Sequence, residues 1–210
     1  MLFICENAKN AEWRKNAPGI SDEKKVSAAF AKKCICEFIG EKEEGIEIKI
    51  EKNDYGKPYV RKICKENKKI EFPVHFSLSH SENMIICAVA GLEIGADCQK
   101  KKQKNINVIK KLAKRYFAQE EKVFLDSKEK EEDYINGFYS IWAKKEAYVK
   151  YTGKGLAEGL GTFSVTSETA QKNYLGEARF EKIFSGKEDF CIYLCYNKKN
   201  KNKSEIKYLD

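Results

Sequence analysis

The sequence predicts an α+β protein built from two similar α/β halves, related by a pseudo-twofold axis, with a functional site at the seam between them. Two observations support this prediction. Segments with helical spacing of apolar residues alternate with short, apolar, strand-like segments. In addition, a long helix, a Gly-Lys turn, an F-S-(L/V)-(S/T) strand and a buried strand recur in the same order in residues 1–98 and in residues 99–210. Seams between such units are favoured places for ligand clefts.

The composition is that of a folded protein with a strongly solvated surface. Of the 210 residues, 42% are hydrophobic and 34% are charged, which allows one sizeable core or two smaller ones that share an interface. The opening residues form no apolar segment of signal-peptide length, and no window approaches the roughly 18 apolar residues of a membrane span. Among the eight cysteines, Cys34, Cys36, Cys191 and Cys195 lie inside apolar runs, where cysteine is commonly a small buried residue, and no pair of CxxC motifs is present. Reduced thiols are therefore predicted. These features predict a cytoplasmic protein that does not associate with membranes.

The formal net charge of +8 suits several kinds of partner. Nucleic acid, anionic lipid, an acidic protein and a phosphorylated small molecule would all be attracted to it. Much of the charge lies in lysine-rich loops and in Lys198–Lys207, where a solvated surface is the commoner explanation. A nucleic-acid-binding domain is the weakest hypothesis, because no recognised motif accompanies the charge and the aromatic residues follow apolar patterns.

The first half opens with a helical pattern from about Ser21 to Ile39, in which Val26 and Phe30 mark an apolar face. Ser21 is the predicted N-cap, and Gly40 is placed to end the helix. Three strand-like segments follow, of which the last is apolar throughout and is predicted to be buried on both faces: Ile46–Ile50, His75–Ser79 and Met84–Ala90.

The second half is basic and polar at first and then strongly helical. Helices are predicted at Asn107–Arg115, Gln119–Leu125 and Tyr134–Thr152. The charged piece Asp126–Asp133 is predicted to be a loop. Strands are predicted after Gly153, at Thr162–Thr166, Ala178–Phe184 and Phe190–Tyr196.

Three charged positions are candidates for chemistry, although each has a simpler explanation when taken singly. Asp97 follows a buried strand and a glycine, where a lone aspartate more often caps the next turn. Glu146 and Lys150 lie one helical turn apart, a spacing that an ordinary surface ion pair also has.

Ser79 and His80, at the end of a predicted strand, are further candidates. Hydroxyl and imidazole groups at this place suit phosphate binding, but a turn with a hydrogen-bonded histidine explains them equally well. A catalytic triad is not indicated, because the chain lacks a G-x-S-x-G elbow. The turn Gly153-Lys154-Gly155 lacks the Walker A spacing and is more simply a helix stop.

Together and in this order, the motifs are far more specific than any one of them. The order is G-K-P at 56–58, F-S-L-S-H-S at 76–81, I-G-A-D at 94–97, R-Y-F at 115–117 and W-A-K-K-E-A-Y-V-K-Y-T-G-K-G-L at 142–156. This series resembles the 4′-phosphopantetheinyl transferase family, and within it the longer, pseudo-dimeric, Sfp-like type that serves non-ribosomal peptide and polyketide synthesis. The resemblance covers Gly56 to Leu156.

The resemblance implies a transferase that moves the phosphopantetheine arm of coenzyme A to a serine of an acyl or peptidyl carrier protein. Asp97 and Glu146 match the residues that bind Mg²⁺, with Mn²⁺ as an alternative, and carboxylates are the ligands that such ions prefer. Glu146 also matches the residue that activates the serine, and Lys150 the residue that offsets charge on the pyrophosphate. A non-catalytic module of the same fold, which binds coenzyme A or a carrier protein, is the alternative.

The same resemblance assigns residues to coenzyme A. Ser79 and His80 match residues that contact its 3′-phosphate, and Lys57 matches a lysine near the adenine and phosphate end. Lys24 and Lys25 lie where other members have basic residues near the 3′-phosphate, although a solvated helix face explains these two more simply. The carrier protein is expected to be acidic, and the internal repeat predicts a monomer, since the two halves supply both sides of the cleft.

One position departs from the family pattern. Many members have a second carboxylate two residues after the first, whereas this chain has Asp97-Cys98-Gln99. The Gln99 amide is able to offer a carbonyl oxygen to the metal or to hold a metal-bound water, but it lacks the negative charge. Gln99 is therefore expected to lie in the metal site and to alter its affinity or metal preference.

Overall fold

The computed structural model describes residues 1–6, 8, 23–102, 105–166, 174–199 and 204–209. The helices in this part of the chain are α1 (Glu23–Ile39), α2 (Ile106–Tyr116), α3 (Gln119–Asp126) and α4 (Glu131–Thr152). The strands are β1 (Leu2–Cys5), β2 (Ile46–Lys52), β3 (Pro58–Lys65), β4 (Lys68–Lys69), β5 (His75–Ser81), β6 (Met84–Ala90), β7 (Ile94–Lys100), β8 (Tyr174–Leu175), β9 (Ala178–Ile183), β10 (Phe190–Asn197) and β11 (Ile206–Tyr208).

The strands form three sheets, with the orders β11-β1-β6-β5, β7-β10-β9-β8 and β2-β3-β4. Helix α1 packs on the first sheet and α4 on the second. Strand β1 pairs antiparallel with β6 and parallel with β11, so a strand near residue 210 lies in the sheet of the first half. The mixed α+β class predicted from the sequence is confirmed. The pseudo-twofold relation and the division after residue 98 stay predictions.

The core has three layers because the central strands are buried on both faces. On β6, Ile85 and Cys87 face α1, while Met84 and Ile86 face the second four-stranded sheet. The middle layer joins the two sheets through aliphatic side chains, among them Leu2, Ile4, Ala96, Ile192 and Leu194. The predicted two-sided burial of Met84–Ala90 is therefore confirmed.

A row of serine hydroxyls joins β5 to β7. Ser77, Ser79 and Ser81 occupy alternate positions of β5, and their Oγ atoms accept hydrogen bonds from the amides of Ala96 (2.9 Å), Cys98 (3.3 Å) and Lys100 (3.0 Å). Because β7 pairs with β10 along its other edge, these hydroxyls satisfy amides that would otherwise be buried without acceptors. The two four-stranded sheets thus meet through side-chain-to-backbone bonds rather than a strand ladder.

A glycine allows the second sheet to approach α4 very closely. A Cβ atom on Gly95 would lie 2.0 Å from the Ala147 carbonyl oxygen and 2.5 Å from the Tyr151 backbone nitrogen. Any other residue would clash with the helix backbone, which cannot move aside as a flexible side chain can. Gly95 therefore fixes how near β7 lies to α4.

Most predicted elements are present with small shifts at their ends. Helix α1 ends before Gly40, which has a φ of +74°. The predicted N-cap, Ser21, lies outside the described residues. All eight cysteines are buried and free, as predicted for reduced thiols. No helix of the described segments is long and apolar enough to span a membrane.

Three predictions from the sequence are wrong. Asp97 lies inside β7 rather than at the end of a strand, because the pairing of β7 with β10 overrides the low strand propensity of I-G-A-D. Residues 162–166 form turns rather than a strand, because Thr162 donates to the Gly159 carbonyl and the Thr166 amide donates to Ser164 Oγ. The loop predicted at Asp126–Asp133 is shorter, since α4 already begins at Glu131.

Substitution of Gly95 tests the contact between β7 and α4. Gly95→Ala is expected to lower the free energy of unfolding by at least about 3 kcal/mol, because the added methyl group forces two backbones apart. Urea denaturation followed by circular dichroism measures this. Gly91→Ala is the matched control, since a Cβ there would meet only the Pro73 carbonyl at 3.8 Å. Equal stability of the two variants would contradict the proposed contact.

Candidate active site

A cleft of about 260 Å³ lies where β5, the β2–β3 turn and the end of α4 meet. It brings together three of the five motifs that the sequence singled out, although they are up to about 100 residues apart in the chain. The lining residues are Tyr55, Gly56, Lys57, Pro58, Phe76, Ser77, Leu78, Glu146, Val149, Lys150, Gly153 and Gly155. We call it the α4–β5 cleft.

Asp97 is held beside this cleft by three hydrogen-bond donors. Its side chain is buried, and Oδ1 accepts from the Ser79 hydroxyl (2.7 Å) and from Lys150 Nζ (2.7 Å). Oδ2 accepts from the Gln99 amide nitrogen at 2.9 Å. Burial of a carboxylate is costly unless it is paired and hydrogen-bonded, and here both oxygens have partners. The position of the Asp97 side chain is therefore well defined.

Glu146 lies one helical turn before Lys150 and has a different environment. Burial raises the pKa of its carboxyl group above the usual value, the charge of nearby Asp97 raises that pKa further, and Lys150 opposes both effects. The two carboxyl groups thus lie close enough to repel each other. A glutamate with a raised pKa that borders a cleft is a common choice for proton transfer.

The pair of carboxylates suits a divalent cation with few protein ligands. No group of three or more His, Cys, Asp or Glu side chains in the described ranges could hold a metal ion. Mg²⁺, however, is usually held by one or two carboxylates together with waters and substrate phosphates, and Asp97 and Glu146 fit that pattern. Lys150 neutralises only one of their two charges. Gln99 donates to Asp97 in this structure, so it supports the carboxylate as a hydrogen-bond donor.

Lys57 lies at the edge of the cleft in a rigid turn. Asn53 Oδ1 accepts from the amides of Tyr55 (3.0 Å) and Lys57 (2.9 Å), and Asn53 Nδ2 donates to the Gly153 carbonyl at 2.9 Å. Lys57 Nζ donates to the Tyr151 carbonyl at 3.1 Å and forms an ion pair with Glu93. The two Gly-Lys turns of the sequence repeat therefore contact each other, and they close one end of the cleft.

The remaining predicted site residues do not lie together in the structure. The Ser79 hydroxyl is buried at the seam and is engaged by Asp97 and the Cys98 amide, whereas His80 is exposed. Alternation along β5 directs these neighbours to opposite sides. Lys25 is exposed in the first turn of α1, and the side chain of Lys24 lies outside the described part of the chain.

The sequence did not reveal a buried ion pair next to Glu146. Lys145 is fully buried and lies 2.9 Å from a Glu121 carboxylate oxygen. Lys145 Nζ also donates to the carbonyls of Leu160 (2.6 Å) and Phe163, and Glu121 accepts from the Val165 amide at 2.8 Å. Burial lowers the pKa of Lys145, while Glu121 opposes that effect. The pair fixes the segment after α4, and its one signal in the sequence was a lysine on the apolar face of a helix.

Comparison with known proteins agrees with the geometry. Residues 93–202 match the model of the 4′-phosphopantetheinyl transferase superfamily. The chain is 30% identical over 120 residues to 4′-phosphopantetheinyl transferase gsp of Aneurinibacillus migulanus, covering 57% of this chain and 44% of that protein. It is 36% identical over 119 residues to 4′-phosphopantetheinyl transferase Sfp of Bacillus subtilis strain 168, covering 57% and 47%. The matches therefore span slightly less than half the length of these relatives.

The repulsion between the carboxyl groups of Asp97 and Glu146 predicts that a substitution of Asp97 changes the pKa of Glu146. In metal-free protein, Asp97→Asn is expected to lower the pKa of Glu146, because it removes a neighbouring negative charge and frees Lys150 to pair with Glu146. Burial remains, so the pKa should stay above the ordinary value for glutamate. NMR titration of the side-chain carboxyl carbon measures the effect, with Asp126→Asn as a control. An unchanged pKa would mean that the two carboxyl groups do not interact.

Proposed function

Because this chain belongs to the 4′-phosphopantetheinyl transferase superfamily, we propose that it transfers the 4′-phosphopantetheine arm of coenzyme A to a serine of an apo acyl or peptidyl carrier protein. The observation that carries this proposal is the convergence of Asp97, Glu146 and Lys150 beside one cleft. Two carboxyl groups and one amine at that place suit the transfer of a phosphoryl group to a hydroxyl.

The proposed reaction assigns a role to each of the two residues on α4. The oxygen of the carrier serine attacks the β-phosphorus of coenzyme A, and the bond from that phosphorus to the bridging oxygen breaks, so that 3′,5′-ADP leaves. Glu146 takes the proton of the serine, and its raised pKa makes it a better proton acceptor than an exposed glutamate. Lys150 donates to the phosphate oxygens and offsets the charge that develops on the leaving group.

Asp97 and Glu146 would hold Mg²⁺, or Mn²⁺ as the alternative, with Gln99 contributing through its carbonyl oxygen or a water. When bound, the metal neutralises charge on the pyrophosphate. In the structure, Lys150 and Gln99 donate hydrogen bonds to the two carboxylate oxygens of Asp97. At least one of these hydrogen bonds must therefore break before Asp97 binds a metal. For Gln99 to offer its oxygen, the amide must turn over and give up its present bond.

Coenzyme A would extend from this centre towards Lys57. The amino group of Lys57 borders the cleft, and an arriving phosphate would compete with Glu93 for it. We assign Ser79 and His80 to the 3′-phosphate end, with Lys24 and Lys25 as further contacts. Of these, His80 and Lys25 are exposed, whereas Ser79 is buried and would have to share its hydroxyl with Asp97.

The carrier protein is proposed to be acidic. The chain has a net charge of +8, so attraction between opposite charges would speed the encounter and make it depend on salt. We further propose that the protein acts as a monomer in the cytoplasm, since the described α4–β5 cleft already draws residues from both halves.

A non-catalytic module that binds coenzyme A or a carrier protein is the second candidate. Gln99 favours it, because the amide gives up the negative charge of the family's second carboxylate. The retention of Asp97, Glu146 and Lys150 in one place favours the enzyme.

The transfer itself is the first measurement. An apo acyl carrier protein incubated with this chain, coenzyme A and Mg²⁺ should gain about 340 Da, the mass of the phosphopantetheine arm, in an intact-mass spectrum. EDTA, Asp97→Ala and Glu146→Ala should each abolish the gain, whereas Glu131→Gln on the exposed start of α4 should not. No gain with several carrier proteins, while coenzyme A still binds, would support the non-catalytic module.

Restoring the missing carboxylate tests the role of Gln99. Gln99→Glu is expected to tighten Mg²⁺ binding about tenfold in the presence of coenzyme A, because it adds a hard, charged oxygen ligand. Isothermal titration calorimetry measures the affinity independently of turnover. Gln119→Glu makes the same change at an exposed position of α3 and should have no effect. If both variants bind Mg²⁺ like the wild type, Gln99 lies outside the metal shell.

A further inference from the structure

We propose that a second cleft, on the other side of α4 from Glu146, binds a phosphate-class oxyanion. It lies between α4 and the β9–β10 hairpin and has a volume of about 600 Å³. None of the residues that line it also lines the α4–β5 cleft. The residues that carry the proposal are Lys101, Ser140, Lys182, Ser185 and Cys191 in its lining, with Lys144 beside it.

The first observation is a buried hydroxyl without a partner. Ser185 lies in the hairpin and is 7% exposed. Its Oγ atom is the one buried side-chain oxygen or nitrogen in the described ranges that forms no hydrogen bond. Buried polar groups are nearly always hydrogen-bonded, so an orphaned hydroxyl in a cleft wall indicates a missing acceptor.

The second observation is a pair of lysines without carboxylate partners. Within the described residues, neither Lys144 nor Lys182 forms an ion pair; their amino groups lie 5.3 Å from the Tyr193 ring and 5.2 Å from the Phe184 ring. Burial lowers the pKa of Lys144, Cys191 and Glu121 oppose that effect, and the charge of Lys182 adds to it. Lys144 is partly buried and lies beside the exposed Lys182, so an anion between the two amino groups would offset the positive charge that burial makes costly at Lys144.

The other charged groups around the cleft already have partners or do not reach this pair. Lys187 forms an ion pair with Glu6 at 2.9 Å, and Lys101 donates to Asn136 at 3.1 Å. Glu132 and Glu188 line the cleft, but neither pairs with Lys144 or Lys182. Asn136 is neutral, so the charge of Lys101 is also unbalanced, and Lys101, Lys144 and Lys182 all act on Cys191. The unbalanced positive charge is therefore located at the end of the cleft near Cys191.

The strand register shows how this cleft relates to the candidate active site. Asp97 on β7 is paired with Tyr193 on β10, which is paired in turn with Lys182 on β9. Lys182 is thus two strand spacings from Asp97, about 10 Å along the sheet. Helix α4 covers the strand between them, where Ser140 Oγ and the Tyr193 hydroxyl are 2.8 Å apart. The second cleft is separate from the first, although helix α4 lines both of them.

The donors define the chemistry of the ligand. Two ammonium groups and one hydroxyl call for a compact, doubly charged group with several acceptor oxygens, which is the description of a phosphate. Such a group has two sources, free inorganic phosphate and the phosphate monoester of a small molecule, and both present the same oxygens to the cleft.

The test is a titration of the ¹⁵N-labelled protein with inorganic phosphate at constant ionic strength, followed by two-dimensional NMR. We expect saturable shifts of the amide signals of Ser185, Gly186 and Lys187. Lys182→Gln and Ser185→Ala should each weaken the binding about tenfold, because each removes one strong donor. Lys68→Gln, which removes an exposed lysine of β4, should leave it unchanged.

Two further experiments distinguish the two clefts from each other and free phosphate from a phosphate monoester. Lys150→Gln weakens any phosphate binding in the α4–β5 cleft and should leave the hairpin shifts intact. Titration with glycerol 3-phosphate shows whether a monoester binds more tightly than free phosphate. Shifts that are linear and equal to those produced by chloride, or that persist in folded Lys182→Gln and Ser185→Ala variants, would overturn the proposal.

Discussion

The direct contact between the backbones of β7 and α4 decides where the charged groups of the candidate active site lie. Because Gly95 has no side chain, the backbones of the strand and the helix come into direct contact at this position. Asp97 is two residues further along the same strand and so projects from the same face. Glu146 and Lys150 flank the helix positions that Gly95 contacts, which brings their side chains to Asp97. One missing side chain thus places a carboxylate of one element within hydrogen-bond distance of an amine on the other.

The buried charged groups of this protein lie in two different kinds of environment. Asp97 and the Lys145–Glu121 pair have several hydrogen bonds each, which offset the cost of removing a charge from water, a cost of several kcal/mol per ion. Among the residues that the structure describes, Glu146 has no comparable set of donors, and burial raises the pKa of its carboxyl group. The first arrangement fixes groups in place. The second leaves one carboxyl group with an increased affinity for protons, which is the property that a proton acceptor needs.

The residues that were predicted from sequence are those whose signal is local. Helical spacing located α4 and placed Glu146 and Lys150 one turn apart, and an unbroken apolar run located β6. The serines of β5 were different, because Ser77 and Ser79 act on a strand that begins about 15 residues later and whose own sequence does not favour strand structure. Likewise, the partner of Lys145 lies 24 positions earlier, on α3. Such pairings depend on how elements pack, and no spacing within one element encodes them.

Gln99 connects the metal-free structure with the chemistry proposed for it. A glutamate at this position would face the buried Asp97 carboxylate and repel it, whereas the amide donates a hydrogen bond to Oδ2. Together with Ser79 and Lys150, Gln99 provides hydrogen-bond donors to both oxygens of the buried carboxylate. The same substitution removes one negative charge from the place where a cation would bind. In the proposed metal site the amide would thus hold Asp97 in place without adding charge, so substrate phosphates would have to supply more of the negative charge around the metal.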